Sequence, residues 1–131
     1  MQFPSKEIVE RVRKDYPVGT RVQLREMNDP RHPPIGSFGT VTGVDDTASI
    51  EVAWDNGSSL SVVYGVDKVD TVVVTTVCYG QKQEWTSRKE AIEFFRQGVI
   101  ECDTESSECS RYMKIFADLL MGKSFCTDGD S

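Results

Sequence analysis

The sequence contains one histidine and no closely spaced pair of cysteines, and both shortages bear on metal binding. His32 lies in a proline-rich segment, far along the chain from the four cysteines. Structural zinc sites commonly use a Cys-x-x-Cys spacing, which is missing here. The cysteines leave 23, 6 and 16 residues between neighbours: Cys78, Cys102, Cys109 and Cys126. We therefore predict free thiols, no metal site and no cofactor.

Long apolar runs are also missing. A membrane-spanning helix needs about 18 or more consecutive apolar residues, and no such stretch occurs. Residues 1–7 lack the basic region followed by an apolar region that marks a secretory signal. We expect no membrane partner and a cytoplasmic location, where cysteines stay reduced.

The sequence offers no arrangement typical of an active site. Residues 36–39, Gly-Ser-Phe-Gly, lead into a predicted strand, whereas phosphate-binding loops lead into the N-terminus of a helix. Paired carboxylates at 45–46 and 128–130 fall in a turn and in the tail, not in an apolar pocket. A nucleophilic enzyme would require His32 to meet a cysteine and a carboxylate. We predict that the protein is not an enzyme and has no catalytic residues.

The 15 basic and 21 acidic residues give a net charge of −6, and this charge is unevenly distributed. Residues 1–31 carry +2, residues 32–76 carry −5 and residues 77–131 carry −3. Nucleic-acid-binding proteins usually present a basic patch, because contacts with phosphates supply much of their affinity. Only the first segment provides such candidates: Arg11, Arg13, Lys14, Arg21, Arg25 and Arg31. An ordinary solvated helix face would explain several of the same residues.

The first half of the chain has the pattern of a short helix followed by strands. Ser5 is a suitable N-cap for a helix over residues 6–15. From Thr20 onwards apolar residues alternate with polar ones, which predicts half-buried strands. Five short strands favour a closed or nearly closed barrel, since closure limits exposed edges. The predicted strands cover residues 20–25, 40–44, 50–54, 60–63 and 69–77.

In the last third of the chain the apolar spacing becomes helical. Ser87 and Glu90 form a capping box that begins a helix ending near Cys102. A second helix is predicted from Glu108 to Met121, and the short connection favours an antiparallel pair.

These patterns predict an α+β fold, in which a small five-stranded β-barrel has a short N-terminal helix and a C-terminal helical pair. The expected domains are residues 1–78, comprising the N-terminal helix and the barrel, and residues 79–131, comprising the helical pair packed on or beside it.

Four segments resemble a bacterial domain family of unknown function: Tyr16–Val22, Gly36–Val41, Val52–Ser58 and Gly65–Asp67. That family is similar to small SH3-like barrels of the KOW type, and its members occur widely on plasmids, phages and conjugative elements. The resemblance covers residues 16–70 and implies that the predicted barrel is SH3-like. In KOW-type relatives the barrel often meets RNA or protein, but the family has no assigned functional residues. Residues 79–128 resemble a companion region in similar mobile-element proteins.

The resemblance and the charge lead to two functional hypotheses. The first is a non-catalytic interaction protein of a bacterial mobile genetic element, which binds and inhibits a host defence protein through an acidic surface. The alternative is a KOW-like nucleic-acid-binding accessory protein that uses the six basic residues above. Because the strands are acidic, unlike those of nucleic-acid-binding relatives, we expect a protein partner.

Loops and exposed aromatic side chains are the expected contacts with that partner. Residues 28–39 include three prolines and two glycines, which predicts a long loop. Long loops in compact domains are often functional. Trp54 alternates with Ile50 and Val52, so we expect it in the core instead. The predicted partner-binding residues are Met27, Asp29, Arg31, His32, Phe38, Tyr64 and Trp85.

Overall fold

The computed structural model describes residues 5–102 and 107–129. The chain divides into two compact units, Met1–Thr71 and Val72–Ser131. The described residues form three helices and seven strands, and the strands make two sheets. This arrangement confirms the α+β class, the N-terminal helix and the C-terminal helices. The division between the units lies seven residues before the expected boundary between residues 78 and 79.

The first unit, termed unit 1, combines one helix with a four-stranded antiparallel sheet. The predicted helix is capped as expected, because Ser5 Oγ accepts a hydrogen bond from the Ile8 N–H at 3.3 Å. The sheet order is β3-β2-β1-β4. The elements are α1 (Lys6–Asp15), β1 (Arg21–Glu26), β2 (Phe38–Val44), β3 (Ile50–Trp54) and β4 (Lys68–Thr71).

The core of unit 1 brings α1 together with the inward-facing strand residues. Trp54 is 3% exposed, which confirms its expected place in the core. Two valines of α1 pack with strand and loop residues in one buried cluster: Val9, Val12, Val22, Leu24, Met27, Val41, Ala48, Ile50, Val52, Trp54 and Val62.

The indole of Trp54 decides the conformation of the segment that follows β3. Its Nε1 donates a hydrogen bond to the Leu60 carbonyl oxygen at 2.8 Å. That oxygen is therefore directed at the indole and not at the edge of β3. The predicted strand over residues 60–63 is reduced to one bridge, between Ile50 and Val62.

The single strand predicted over residues 69–77 is two strands. β4 pairs with β1 in unit 1, whereas β5 (Val74–Cys78) belongs to the sheet of the second unit. Residues 72–74 are all valine, so the sequence contains no signal for the break. Within residues 5–102 and 107–129 the sheets do not close into a barrel, and the five expected strands are represented in unit 1 by four strands and one bridge.

The second unit, termed unit 2, contains a three-stranded sheet and two helices. Its further elements are β6 (Gln81–Trp85), α2 (Arg88–Glu101), α3 (Ser107–Leu120) and β7 (Phe125–Thr127). The sheet order is β6-β5-β7, in which β6 is antiparallel and β7 parallel to β5. The sequence pattern predicts neither β6 nor β7, because β6 is polar on both faces and β7 has three residues.

A tight turn at Tyr79 and Gly80 joins β5 to β6. Both residues have a positive φ, 54° and 75°, as a two-residue turn of type I′ requires. A tyrosine is rare at such a position, because a side chain raises the energy of the left-handed region. The turn therefore gives no recognisable signal in the sequence.

In unit 2, side chains cap the start of α2 and the end of α3. Ser87 Oγ accepts a hydrogen bond from the Glu90 N–H at 3.2 Å, which confirms the predicted cap of α2. A cation beside the last turn stabilises a helix, because it complements the unpaired carbonyl groups. The guanidinium of Arg88 does this for α3, donating at 2.9 to 3.3 Å to three carbonyl oxygens, those of Leu119, Gly122 and Lys123.

The core of unit 2 consists of Val74, Ala91, Phe95, Ile115, Leu119 and Cys126.

Gly39 in β2 leaves no room for a side chain, which generates a test of the core. A Cβ atom on Gly39 would lie 2.6 Å from Val52 Cγ1 and 2.8 Å from Trp54 Cε3. Gly39→Ala should lower the free energy of unfolding of unit 1 by about 1–3 kcal/mol, the usual range for overpacking. The measurement is urea unfolding followed by Trp54 fluorescence in a Trp85→Phe background.

The matched control for this substitution is Gly43→Ala in the same strand. A Cβ atom there would have Glu51 Oε2 as its nearest neighbour, at 3.7 Å, which is ordinary contact. This variant should unfold close to the wild-type urea midpoint. Equal midpoints for the two variants would show that Val52 and Trp54 do not close the space in front of Gly39.

Candidate functional site

One carboxylate joins two long loops of unit 1. Asp67 Oδ1 accepts a hydrogen bond from the Asn28 N–H at 3.2 Å, and Asp67 Oδ2 accepts one from the Val63 N–H at 2.9 Å. The start of the β1–β2 loop is therefore held beside the turn at residues 63–67. These two segments, residues 28–32 and 63–67, are termed the loop surface.

The β1–β2 loop has a fixed internal structure. Asp29 accepts hydrogen bonds from the Arg31 N–H at 2.8 Å and from Arg31 Nη2 at 2.9 Å. The side-chain hydrogen bond from Arg31 is the main cause that lowers the pKa of Asp29 to about 2. The His32 N–H donates to the Asp29 carbonyl oxygen at 3.0 Å, and Pro33 is fully buried. These contacts tie the Asp29–Arg31 ion pair to the backbone of the loop.

Apolar side chains are exposed on the other half of the loop surface. Val63, Tyr64 and Val66 are 45%, 45% and 49% exposed. The N–H groups of Val66 and Asp67 both donate to the Val63 carbonyl oxygen, at 3.1 and 2.9 Å, so the turn is closed. An exposed tyrosine flanked by valines suits protein recognition, because tyrosine is enriched in protein–protein interfaces.

Four of the seven expected partner-binding residues lie on the loop surface, and three do not. Met27 is 7% exposed and belongs to the core of unit 1, so it is not available to a partner. Phe38 is half-buried at the start of β2. Trp85 belongs to unit 2, where its Nε1 donates to Thr76 Oγ1 at 2.9 Å. The four on the loop surface are Asp29, Arg31, His32 and Tyr64.

Sequence reasoning missed three members of the loop surface. Val63 falls within the strand predicted over residues 60–63, and Val66 and Asp67 fall in a segment that the sequence marks only as a tight turn and as part of a family motif. No pattern marks Asp67, because its partners Asn28 and Val63 are set by the tertiary fold.

Four of the six basic candidates for nucleic-acid binding already have acidic partners. Arg11 and Lys14 are exposed and form no ion pair with another described residue. A phosphate backbone would have to compete with existing carboxylates for the other four. Their nitrogen–oxygen distances are 2.5 to 3.1 Å in the pairs Arg13–Asp46, Arg21–Asp55, Arg25–Asp70 and Arg31–Asp29.

A second carboxylate organises the β5–β6 turn of unit 2. The side chain of Asp128 is 6% exposed, and its Oδ2 accepts hydrogen bonds from the Tyr79 N–H at 2.8 Å and from Arg111 Nη1 at 2.9 Å. The bond from the Tyr79 N–H is the main cause that lowers the pKa of Asp128, and Arg111 adds to it. The Arg111 guanidinium also lies 4.7 Å from the centre of the Tyr79 ring.

Burial raises the pKa values of Cys78, Cys102 and Cys126 in unit 2, so these three thiols are protonated at neutral pH. Burial is the main cause that raises the pKa of Cys78, and Asp128 adds to it. Burial and a hydrogen bond with Cys109 raise the pKa of Cys102 to about 11. A protonated thiol is a poor nucleophile. In the part of the chain that the structure describes, no group of three side chains is placed to hold a metal ion.

The sequence of unit 1 identifies the family of this protein. Residues 5–72 match the family described as Domain of unknown function (DUF4314), and because the match covers more than half of the chain, the protein belongs to that family. The match begins at the cap of α1 and ends just after β4. No curated protein and no solved structure matches the chain.

Among the described residues, no helix has the length and apolar character needed to cross a bilayer.

The hydrogen bonds of Asp128 predict an acid-sensitive contribution to the stability of unit 2. Because its pKa is lower in the folded state, the contribution is present above the unfolded pKa, about 3.9, and is lost as the pH falls through the folded pKa. Asp128→Asn should lower the free energy of unfolding at neutral pH by about 1–3 kcal/mol. The variant should also lose stability less steeply than the wild type on acidification, as followed by the NMR signal of the Trp85 indole N–H in the otherwise unchanged chain.

Glu93→Gln is the control for this experiment. Glu93 also lies in unit 2, and its side chain is 60% exposed, so the loss of its charge should change the stability little. An Asp128→Asn variant with wild-type stability and an unchanged acid profile would contradict the role assigned to the carboxylate.

The raised pKa values of Cys78 and Cys102 predict slow alkylation of the folded protein. At about pH 7.5 both thiols should react with iodoacetamide more slowly than an unperturbed cysteine, whose pKa is about 8.5, because little thiolate is present. Mass spectrometry of peptides after timed quenching measures both rates, and the urea-unfolded protein supplies the reference. A folded rate above the unfolded rate would indicate an activated cysteine.

Proposed function

We propose that this protein is a non-catalytic interaction protein whose loop surface docks on another protein. The observation that carries the proposal is the pairing of the β1–β2 loop with the 63–67 turn by Asp67, since the loop carries the Asp29–Arg31 ion pair and the turn carries the exposed Tyr64. A loop that is already ordered loses little conformational entropy on binding, so its contacts contribute more fully to affinity. The protonated thiols are consistent with a role in binding rather than in covalent catalysis.

In this proposal unit 1 is an open SH3-like barrel of the KOW type. A five-stranded barrel that follows the chain order pairs its first strand with the second and the last, and its fourth with the third. The order β3-β2-β1-β4 agrees with both pairings of the first strand, and the bridge between Ile50 and Val62 agrees with the pairing of the fourth strand with the third. The loop surface then lies where the longest barrel loop meets the turn before the last strand.

The charge of the chain favours a basic protein partner. Eight basic and eleven acidic residues give residues 1–71 a net charge of −3, and residues 72–131 carry the same net charge. Charge complementarity with a basic groove would steer association and disfavour acidic partners. Proteins that bind nucleic acids present such grooves, so the partner we favour is a host defence protein that acts on nucleic acid.

The proposed setting is a bacterial mobile genetic element, whose product inhibits this host protein in the cytoplasm. The sequence resemblance of residues 16–70 to a domain family found on plasmids, phages and conjugative elements supports the setting. The four free cysteines agree with a reducing compartment.

Affinity capture with matched baits tests the proposal. The baits are the tagged wild-type chain, the double variant Tyr64→Ser/Val66→Ser, and the control Val18→Ser. Val18 is 75% exposed in the same unit but lies outside the loop surface. We expect a protein that the wild type and the control retain and the double variant loses, at least about tenfold by quantitative mass spectrometry, since truncated interface aromatics commonly cost 1–2 kcal/mol or more.

Nucleic-acid binding is the alternative function, and a gel shift with the purified wild-type chain tests it. A gel shift at low salt whose affinity falls steeply with salt, and which is lost in Arg11→Ala/Lys14→Ala, would favour that alternative. Equal capture of every protein by all three baits would refute docking through the loop surface.

A further inference from the structure

Two glutamines of β6, Gln81 and Gln83, lie on the face of the sheet where core residues are expected. In the antiparallel register Trp85 lies opposite Val74, Gln83 opposite Thr76 and Gln81 opposite Cys78. Residues directly opposite each other share a face, and Val74 and Trp85 pack with the helices of unit 2. Gln81 and Gln83 therefore extend from the helix-facing side of the sheet, where apolar side chains are the rule.

These amides line a groove of about 360 Å³ within unit 2. Both glutamines are exposed, so the groove opens to solvent. The opposite wall is aromatic, with Phe94 and Phe95 on α2 and Tyr112 on α3. The volume is near the lower end of the 300–1,000 Å³ typical of small-molecule sites, so it suits a ligand of one or two rings.

The aromatic wall is fixed by ring contacts and still presents a free face. Phe94 is 52% exposed, although its ring centre lies 5.5 Å from that of Trp85 and 5.1 Å from that of Phe95. The Phe95 centre lies 6.0 Å from that of Tyr112. Such a wall can stack against a planar ligand without losing much side-chain freedom.

The groove carries little net charge. Cys78 is protonated, and the neighbouring Asp128 is paired with Arg111 at 2.9 Å. Lys82, which also lines the groove, has its Nζ 3.7 Å from Glu84 Oε1. A phosphate group would find no uncompensated cation among these residues, and the net charge of −3 on residues 72–131 would repel it.

We infer that this groove binds a planar, uncharged heteroaromatic ring with an amide-like edge, which is the chemistry of a nucleobase. Glutamine amides offer both a donor and an acceptor and pair with the edges of such rings, while aromatic side chains stack on their faces. The groove belongs to unit 2 and does not use the loop surface, so this site is independent of the proposed docking function. The free nucleoside should bind more tightly than its phosphorylated or polymeric forms.

Titration of the isotope-labelled full chain with adenosine, guanosine, cytidine and uridine tests the site by NMR. At least one nucleoside, raised to about 5 mM so that millimolar binding is visible, should shift the amide signals of Gln81, Gln83 and Phe94 along saturating curves. Gln83→Leu keeps the size of the side chain and removes its hydrogen bonds, and Phe94→Leu removes the stacking plane. Each should weaken binding about tenfold, the loss expected for a hydrogen bond or a stacking contact.

Gln97→Leu is the matched control, because it removes an exposed amide from α2 that does not line the groove. It should bind as the wild type does, and a wild-type pattern of methyl signals from Ile115 and Leu119 verifies the fold of every variant. The 5′-monophosphates and a short single-stranded oligonucleotide should bind several-fold more weakly. The absence of shifts with all four nucleosides, unchanged affinity in Gln83→Leu, or tighter binding of the phosphorylated forms would each overturn the inference.

Discussion

The packing and hydrogen bonding of the Trp54 indole are what unit 1 depends on. The ring lies so close to β2 that only glycine fits at residue 39. Its Nε1 also holds the Leu60 carbonyl oxygen, so the segment after β3 touches the sheet at the Ile50–Val62 bridge. A buried tryptophan N–H without a hydrogen-bond partner would be destabilising. The Leu60 carbonyl oxygen satisfies this N–H, but it is then not available to pair with β3.

Aspartates connect the remaining parts of both units. Asp67 joins two loops of unit 1, and Asp128 joins the end of β7 to the β5–β6 turn and to α3. Asp45 closes the β2–β3 turn by accepting hydrogen bonds from the N–H groups of Thr47 and Ser49, at 2.9 and 3.0 Å. Carboxylates are stronger hydrogen-bond acceptors than neutral groups, so part of the acidic composition serves the fold. The acidity of the chain is therefore not simply a signature of its partner.

The arginine–aspartate ion pairs of unit 1 limit which of its charged side chains are available to other molecules. Four arginines of unit 1 that would otherwise add to a basic patch are paired with aspartates, so of the six basic candidates only Arg11 and Lys14 are left without an ion pair to a described residue. The loop surface of unit 1 combines exposed apolar side chains with an ion pair on two segments that are joined by hydrogen bonds. Unit 2 presents a concave feature in which amides and aromatic rings converge, and this suits a small planar ligand.

Local patterns in the sequence were sufficient for the elements that are stabilised locally. The cap at Ser5, the capping box at Ser87 and the alternation around Trp54 each act within a few residues, so the three helices and the inward face of β3 could be predicted. The break inside the valine run, the short strand β7 and the turn at Tyr79 depend on partners far along the chain. The candidate site divides in the same way. Tyr64, Asp29 and Arg31 are expected contact residues from the sequence, but only the tertiary fold brings Asp67 to the N–H groups of Asn28 and Val63, because a carboxylate finds its donors by proximity in space and not by spacing in the chain.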